Sequence, residues 1–134
     1  MKISKKTEYA IKILCFLGEN EKKVISARAI GEKEKIPPYF LGKILSLLSK
    51  NKIVGVKKGR EGGYFLLIPL KKINLLKILF LFEKNKKIVE CLERDKKCHF
   101  ESFCRLRGFF KKLNNFFEKK LNQITLKEIS EQKI

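Results

Sequence analysis

The sequence contains no tryptophan, one methionine and one histidine, His99. With no second histidine, no Ser/His/Asp set, no phosphate-cradling glycine loop and no paired catalytic carboxylates in view, an enzyme is the least expected reading. No C-x-x-C pair occurs among the four cysteines, which argues against a zinc ribbon or a ferredoxin motif. No apolar run is long enough to cross a bilayer: the longest, Ile73 to Phe82, is broken by Asn74 and Lys77. No secretory signal is visible, because the apolar stretch 11–18 follows a mixed polar segment and precedes no small-residue cleavage site. The expectation is a cytoplasmic chain without a membrane partner. In that setting cysteines serve as metal ligands or sensor thiols more often than as disulfides. Acidic residues are also scarce: 14 Asp and Glu stand against 32 Lys and Arg, a formal charge of +18. Such an excess implies an anionic partner, nucleic acid before an anionic membrane surface. A lysine-rich composition can also reflect base bias, so charge alone does not decide the matter.

What is present is an ordered series of short elements. Residues Ser4 to Glu19 read as a helix capped by Ser4, with Thr7, Ala10, Ile11, Leu14 and Leu17 on one face. Ser26 caps a second, short helix to Glu34, with Ala27, Ile30 and Gly31 facing inward. After a turn at Lys35–Pro37, Pro38 occupies the first position of a third helix reaching about Asn51, where its missing N–H has no intrahelical partner. Leu41, Ile44, Leu45 and Leu48 are its buried stripe. A short helix, tight turn and second helix form the helix-turn-helix arrangement. Ile53–Lys57 and Tyr64–Ile68 read as strands joined by the basic turn 58–63. Gly62 and Gly63 are read as turn residues that permit positive φ. A further helix spans Asn74 to Phe82. Segment 83–103 lacks periodicity, and a long helix runs from Cys104 to Leu121. On that helix Leu106, Phe109, Phe110, Leu113, Phe117 and Leu121 make an apolar stripe that must be covered by its own domain or by a partner. Thr125–Glu128 is a capping box opening a last helix.

The fold class expected is therefore mainly α with a small β-hairpin: a winged helix-turn-helix domain plus a long helix, a dimerisation helix if a partner covers its stripe. Residues 1–72 would form the DNA-binding domain and 73–134 the cysteine sensor loop and dimerisation helix. A recognition helix fits the major groove of double-stranded DNA, and a basic hairpin beside it reaches phosphate or minor groove. Pro38, Tyr39, Phe40, Gly42 and Lys43 should face base edges. Lys57, Lys58 and Arg60 on the wing, with Arg28, Lys5 and Lys6, are candidates for backbone contacts.

The stretch Val24 to Ile68 resembles the winged helix of the bacterial IscR–NsrR–RirA family of regulators. Ala29-Ile30, Tyr39-Phe40-Leu41, Leu48-Ser49-Lys50-Asn51 and the wing Lys58-Gly59-Arg60-Glu61-Gly62-Gly63-Tyr64 carry the resemblance. The opening Met1-Lys2-Ile3-Ser4 through Thr7-Glu8-Tyr9-Ala10 is also similar, as is Leu121 to Ile129, so the likeness covers nearly the whole chain. Gly42 departs from the pattern, standing where some members carry a base-reading side chain. The resemblance implies a homodimer on an imperfect palindromic operator.

Cys91, Cys98 and Cys104 follow the pattern C-x6-C-x5-C. From spacing alone, metal binding, a thiol redox switch and inert cysteines all stay open, and thiolates suit iron–sulfur clusters, zinc and copper(I) alike. Arg94, Lys96, Lys97 and Arg105 crowd the loop and should favour thiolate. The resemblance implies that these three cysteines hold an iron–sulfur cluster, [2Fe-2S] or [4Fe-4S]. It leaves one position for another ligand, either Glu8 from the partner subunit's first helix or His99. Some relatives place a histidine three residues after the last cysteine, where this chain has Arg107. The function implied is a transcriptional repressor sensing iron, cluster status, nitric oxide or redox state. A zinc- or thiol-based regulator with the same DNA half is the alternative. Cys15, within an apolar stretch of the first helix, reads as a buried inert thiol.

Overall fold

Ser4 opens the first helix in the computed structural model, which describes residues 1–93, 100 and 103–133. Its hydroxyl accepts from the Thr7 amide, and α1 then runs from Lys5 to Glu19. Thr7, Ala10, Ile13, Leu14 and Leu17 are buried on it. Ile13 takes the fully buried place expected of Ile11, which is only half-buried. Helix α1 is the central post of the molecule: α2 (Ala27–Glu34), α3 (Pro38–Lys50), α4 (Leu75–Phe82) and α6 (Leu126–Ser130) all pack on it. Each fully buried Leu or Ile at this junction contributes about 1.5–3 kcal/mol through removal of apolar surface from water.

The helix-turn-helix forms where its caps place it. Ser26 accepts from the Ala29 amide, and α2 ends at Lys35, which adopts a left-handed conformation (φ 55°, ψ 47°). Pro38 fills the first position of α3, and Leu41, Ile44, Leu45 and Leu48 are its buried residues, the same four that the periodicity selects. Strands β1 (Val54–Lys57) and β2 (Gly63–Leu66) pair antiparallel, with Val54 opposite Leu66 and Lys57 opposite Gly63. Tyr64 also bridges Ile25, through Ile25 N–H to Tyr64 O (2.9 Å) and Tyr64 N–H to Ile25 O (2.7 Å). The wing is thereby tied to the residue preceding the cap of α2.

The glycines of the wing act differently from the expectation. Gly59 is the glycine with positive φ (107°), not Gly62 or Gly63. A Cβ on Gly62 would lie 2.2 Å from the Lys57 carbonyl oxygen, and one on Gly63 2.3 Å from that of Ile25. Those two positions are glycine because backbone approaches backbone there, while the left-handed turn falls to Gly59.

Beyond the wing, a 3-10 turn (Leu70–Lys72) leads into α4, capped by Asn74. Helix α5 spans Arg105–Gln123, and α6 follows with both halves of the Thr125–Glu128 capping box formed. Leu75 N–H donates to Ile124 O (2.8 Å) and Leu126 N–H to Ile73 O (2.9 Å), clasping the start of α4 to the end of α5. Ile73, Ile78 and Leu126 are fully buried in the same core as α1. Helix α5 packs on α4. Half of its apolar stripe is uncovered in one copy of the chain: Leu106, Phe109 and Phe117 are exposed, Phe109 by 58%. Phe110, Leu113 and Leu121 are half-buried, and Phe116, which the stripe did not include, is exposed too.

Candidate nucleic-acid interface and thiol site

Helix α3 turns one face to the core and the other outward. On the outward face Tyr39 is 68% exposed, and Pro38, Gly42 and Lys43 are exposed beside it. Phe40 is half-buried and packs against the core, its ring 5.6 Å from that of Tyr9 on α1 and 5.5 Å from that of Tyr39. It supports the surface from beneath, so packing is its visible role. Lys43 Nζ donates to the Tyr39 hydroxyl at 2.7 Å, and this contact holds the Tyr39 hydroxyl below the ordinary tyrosine value. Lys57, Lys58 and Arg60 are exposed on the wing and make no ion pair with the described residues. Arg28 is also exposed, with its Nε 3.1 Å from Glu32 on the next turn of α2. Such an exposed pair is weakly held and costs little to open toward phosphate. The expected contacts on α2, α3 and the wing are thus solvent-exposed, Phe40 excepted.

The described cysteines are free thiols. Cys91 is half-buried on a 3-10 turn (Glu90–Leu92), and Cys104 is half-buried at the N-cap of α5, where its side chain makes no capping hydrogen bond. Arg107 Nη1 donates to the Cys91 carbonyl at 3.2 Å, tying that turn to the first turn of α5. Arg107, standing where some relatives carry a histidine, closes the base of the loop. Cys98 and His99, with Arg94, Lys96 and Lys97, lie outside the described residues. Glu8 is exposed on α1 and accepts from Lys5 Nζ at 2.9 Å, a bond that raises the Lys5 pKa above its ordinary value. Among the described residues no three His, Cys, Asp or Glu side chains gather as a metal site, so Glu8, Cys91 and Cys104 do not form one such group within one copy. The donor set suits a soft metal group: two uncommitted thiols frame one loop, and thiolates are soft ligands. Cys15 is of another kind. Its thiol donates to the Leu126 carbonyl at 3.9 Å, and burial with the nearby Glu19 and Glu34 charges pushes its pKa up to about 11.

Sequence reasoning missed the polar network that seats the approach to the loop. Asn114, the buried residue of α5, accepts from the Ile88 amide (3.0 Å) and donates to Glu118 (2.9 Å). Lys87 reaches Glu118 through Nζ (2.6 Å), and its amide donates to Glu93 (2.6 Å). Farther along, Glu83 accepts from the Ser4 amide and the Thr7 hydroxyl, joining the end of α4 to the start of α1. One signal was available: Asn114 falls in the 110, 114, 117, 121 register of the apolar stripe, where a polar residue calls for a partner.

Residues 3–132 match the Rrf2 family, described as "Iron-dependent Transcriptional regulator". The chain belongs to the Rrf2 family of transcriptional regulators. It is similar to protein aau3 of Rhizobium meliloti, 31% identical over 120 residues that make up 88% of this chain and 78% of that protein. Similarity also extends to the transcriptional regulator NsrR of Oceanobacillus iheyensis, 28% identical over 131 residues, covering 96% of this chain and 89% of that protein. In fold it resembles a solved protein of Listeria innocua, with a TM-score of 0.82 and 24% identity over all of this chain and 89% of the other. CymR, the global cysteine regulator of B. subtilis, shares the fold with a TM-score of 0.77 and 21% identity over 100% of this chain and 99% of that one. The Rrf2 assignment accounts for the mainly helical chain with one antiparallel hairpin. No helix among the described residues of this Rrf2 regulator is long and apolar enough to cross a membrane.

Proposed function

We propose that this chain is a homodimeric repressor that binds an imperfect palindrome in double-stranded DNA and responds to iron, cluster status, nitric oxide or redox state through its cysteine loop. The observation that carries the sensing half is the pair of uncommitted thiols, Cys91 and Cys104, bracketing one loop whose base Arg107 ties to α5. Cys91, Cys98 and Cys104 would hold an iron–sulfur cluster, and Glu8 of the partner subunit would complete the ligand set. When bound, the cluster supplies a redox-active centre that iron starvation, oxidants or nitric oxide can alter. The chain's own residues connect loop and DNA surface. Lys87 and Ile88 anchor the approach to the loop on α5, and Glu83 joins the end of α4 to α1, against which Phe40 of α3 rests through Tyr9. Labour divides accordingly, with 1–72 reading DNA and 73–134 sensing and pairing, although Ile73, Ile78 and Leu126 share the core of the first part. Two α5 stripes covering each other would set the spacing of the two recognition helices, so a shift of the loop alters the fit to two half-sites.

A second reading has its own support. The fold is equally that of CymR, named a cysteine regulator, and free thiols serve a zinc- or thiol-based switch as well. Purification without oxygen, followed by iron, sulfide and zinc analysis and visible absorbance, separates the two. Iron and sulfide in similar amounts, lost in Cys91→Ala, Cys98→Ala or Cys104→Ala, support the cluster. Zinc, or no metal after attempted reconstitution, moves the switch to zinc or thiol chemistry. Equal affinity for DNA in every cysteine and metal state overturns the sensing claim and leaves DNA binding standing.

A further inference from the structure

We propose that Tyr39 and Lys43 act as one unit that reads a guanine in each half-site, an inference that rests on the DNA-binding reading above. The two side chains lie one turn apart on the exposed face of α3, with Gly42 beside them. Lys43 Nζ donates to the Tyr39 hydroxyl at 2.7 Å and stands 4.1 Å from the Tyr39 ring centroid. The Tyr39 ring meets Phe40 edge-on at 5.5 Å, and Phe40 meets Tyr9 at 5.6 Å, so the pair is braced from the core outward. A hydroxyl that accepts from an ammonium keeps its own proton for an outside partner. Lys43 retains further N–H donors. The assembled unit therefore presents chiefly donors.

Base edges in the major groove differ in what they offer such a surface. Guanine displays two neighbouring acceptors, N7 and O6. Adenine sets an N6 amino donor beside its N7, cytosine presents an amino donor, and thymine has one acceptor next to a methyl group. Only guanine meets two donors with two acceptors. Gly42 adds room: a Cβ built there meets nothing within 4 Å, so the helix backbone can approach the base edges beside the two side chains. The Lys43 contact that lowers the Tyr39 pKa also polarises the O–H as a donor.

The test is selection from random-sequence duplex DNA by the full chain purified without oxygen, in the wild type and in Tyr39→Phe and Lys43→Gln. Both side chains are exposed, and Phe keeps the ring against Phe40, so helix content by circular dichroism should be unchanged in each variant. The wild type should enrich guanine at one position per half-site. Replacing that guanine by 7-deazaguanine should weaken binding roughly tenfold. Tyr39→Phe should lose about tenfold of the preference at that position only, and Lys43→Gln should move the preference toward adenine, which glutamine pairs through N6 and N7. If both variants weaken all sequences alike, the pair contacts phosphate; the guanine proposal fails and the DNA-binding reading stands. If the wild type enriches no sequence, both fail together.

Discussion

Gly42 sits mid-helix on an exposed surface, and a Cβ there would meet no atom within 4 Å. Nothing in one copy of the chain requires glycine, which costs about 1 kcal/mol relative to alanine in a helix interior. Gly42→Ala should accordingly raise unfolding free energy by about 0.5–1 kcal/mol in a urea titration while weakening binding to the selected operator. A gain in both stability and affinity would show that DNA does not approach this backbone. Glu83 gives a second residue-scale test. Burial works to raise its pKa, but hydrogen bonds from Ser4 and Thr7 prevail and hold it below the ordinary 4.5. A folded-state pKa below the unfolded one contributes stability that is present above about pH 4.5 and lost as pH falls through the folded value. Glu83→Gln should cost about 1–2 kcal/mol at pH 7, and its deficit relative to the wild type should shrink in melts recorded progressively below pH 4.5. The caps Ser4, Ser26, Asn74 and Thr125 were legible because each partner lies within three residues. Glu83 was not, since its partners Ser4 and Thr7 are 79 and 76 residues away.

At the scale of elements, caps, stop signals and hydrophobic patterning placed the α-helices and both strands of the described residues. What they could not place was the covering of α5. Its stripe is read easily from Leu106, Phe109 and Phe117, yet these side chains are exposed in one copy, and a second copy is the cover proposed above. Leu106→Ser with Phe109→Ser should leave the monomer's melting nearly unchanged, since little burial is lost, and should convert the sedimenting species from dimer to monomer. A large fall in thermal stability at concentrations where the wild type is monomeric would instead place these residues in the folding core. The wing offers the opposite case. Gly63→Ala would drive a Cβ into the Ile25 carbonyl oxygen, where only backbone can give way. The expected cost is about 1–3 kcal/mol, with faster amide exchange at Tyr64 and Ile25. Alternation alone marks Gly63 as a turn glycine; the contact with Ile25 becomes visible only once the third backbone segment is in place.

On the scale of the whole molecule, a charge of +18 should draw the chain toward DNA and oppose the pairing of two copies. If each subunit neutralises about four phosphates, log affinity should fall with log salt at a slope of roughly −7 for the dimer. Helix α5 carries Arg105, Arg107, Lys111, Lys112, Lys119 and Lys120 against Glu118, so two copies brought face to face repel and added salt should tighten the dimer. Titrations of both equilibria across one salt series should diverge; parallel slopes would mean that α5 is not the paired surface.

The clasp between residues 73–75 and 124–126 has a consequence for how such regulators diversify. At the edge of the core around α1, residues 73–75 and 124–126 are joined by a pair of backbone hydrogen bonds. Between these two stretches α4 still buries Ile78 in the common core and Glu83 still holds Ser4 and Thr7, so the part free to vary is the cysteine segment and α5. Backbone bonds carry no side-chain identity, so exchange of that outer part, cysteines included, should leave the two bonds in place. If the chain works as proposed above, one body that reads DNA could carry different detectors, and the chemistry sensed would not have to be inherited together with the sequence read.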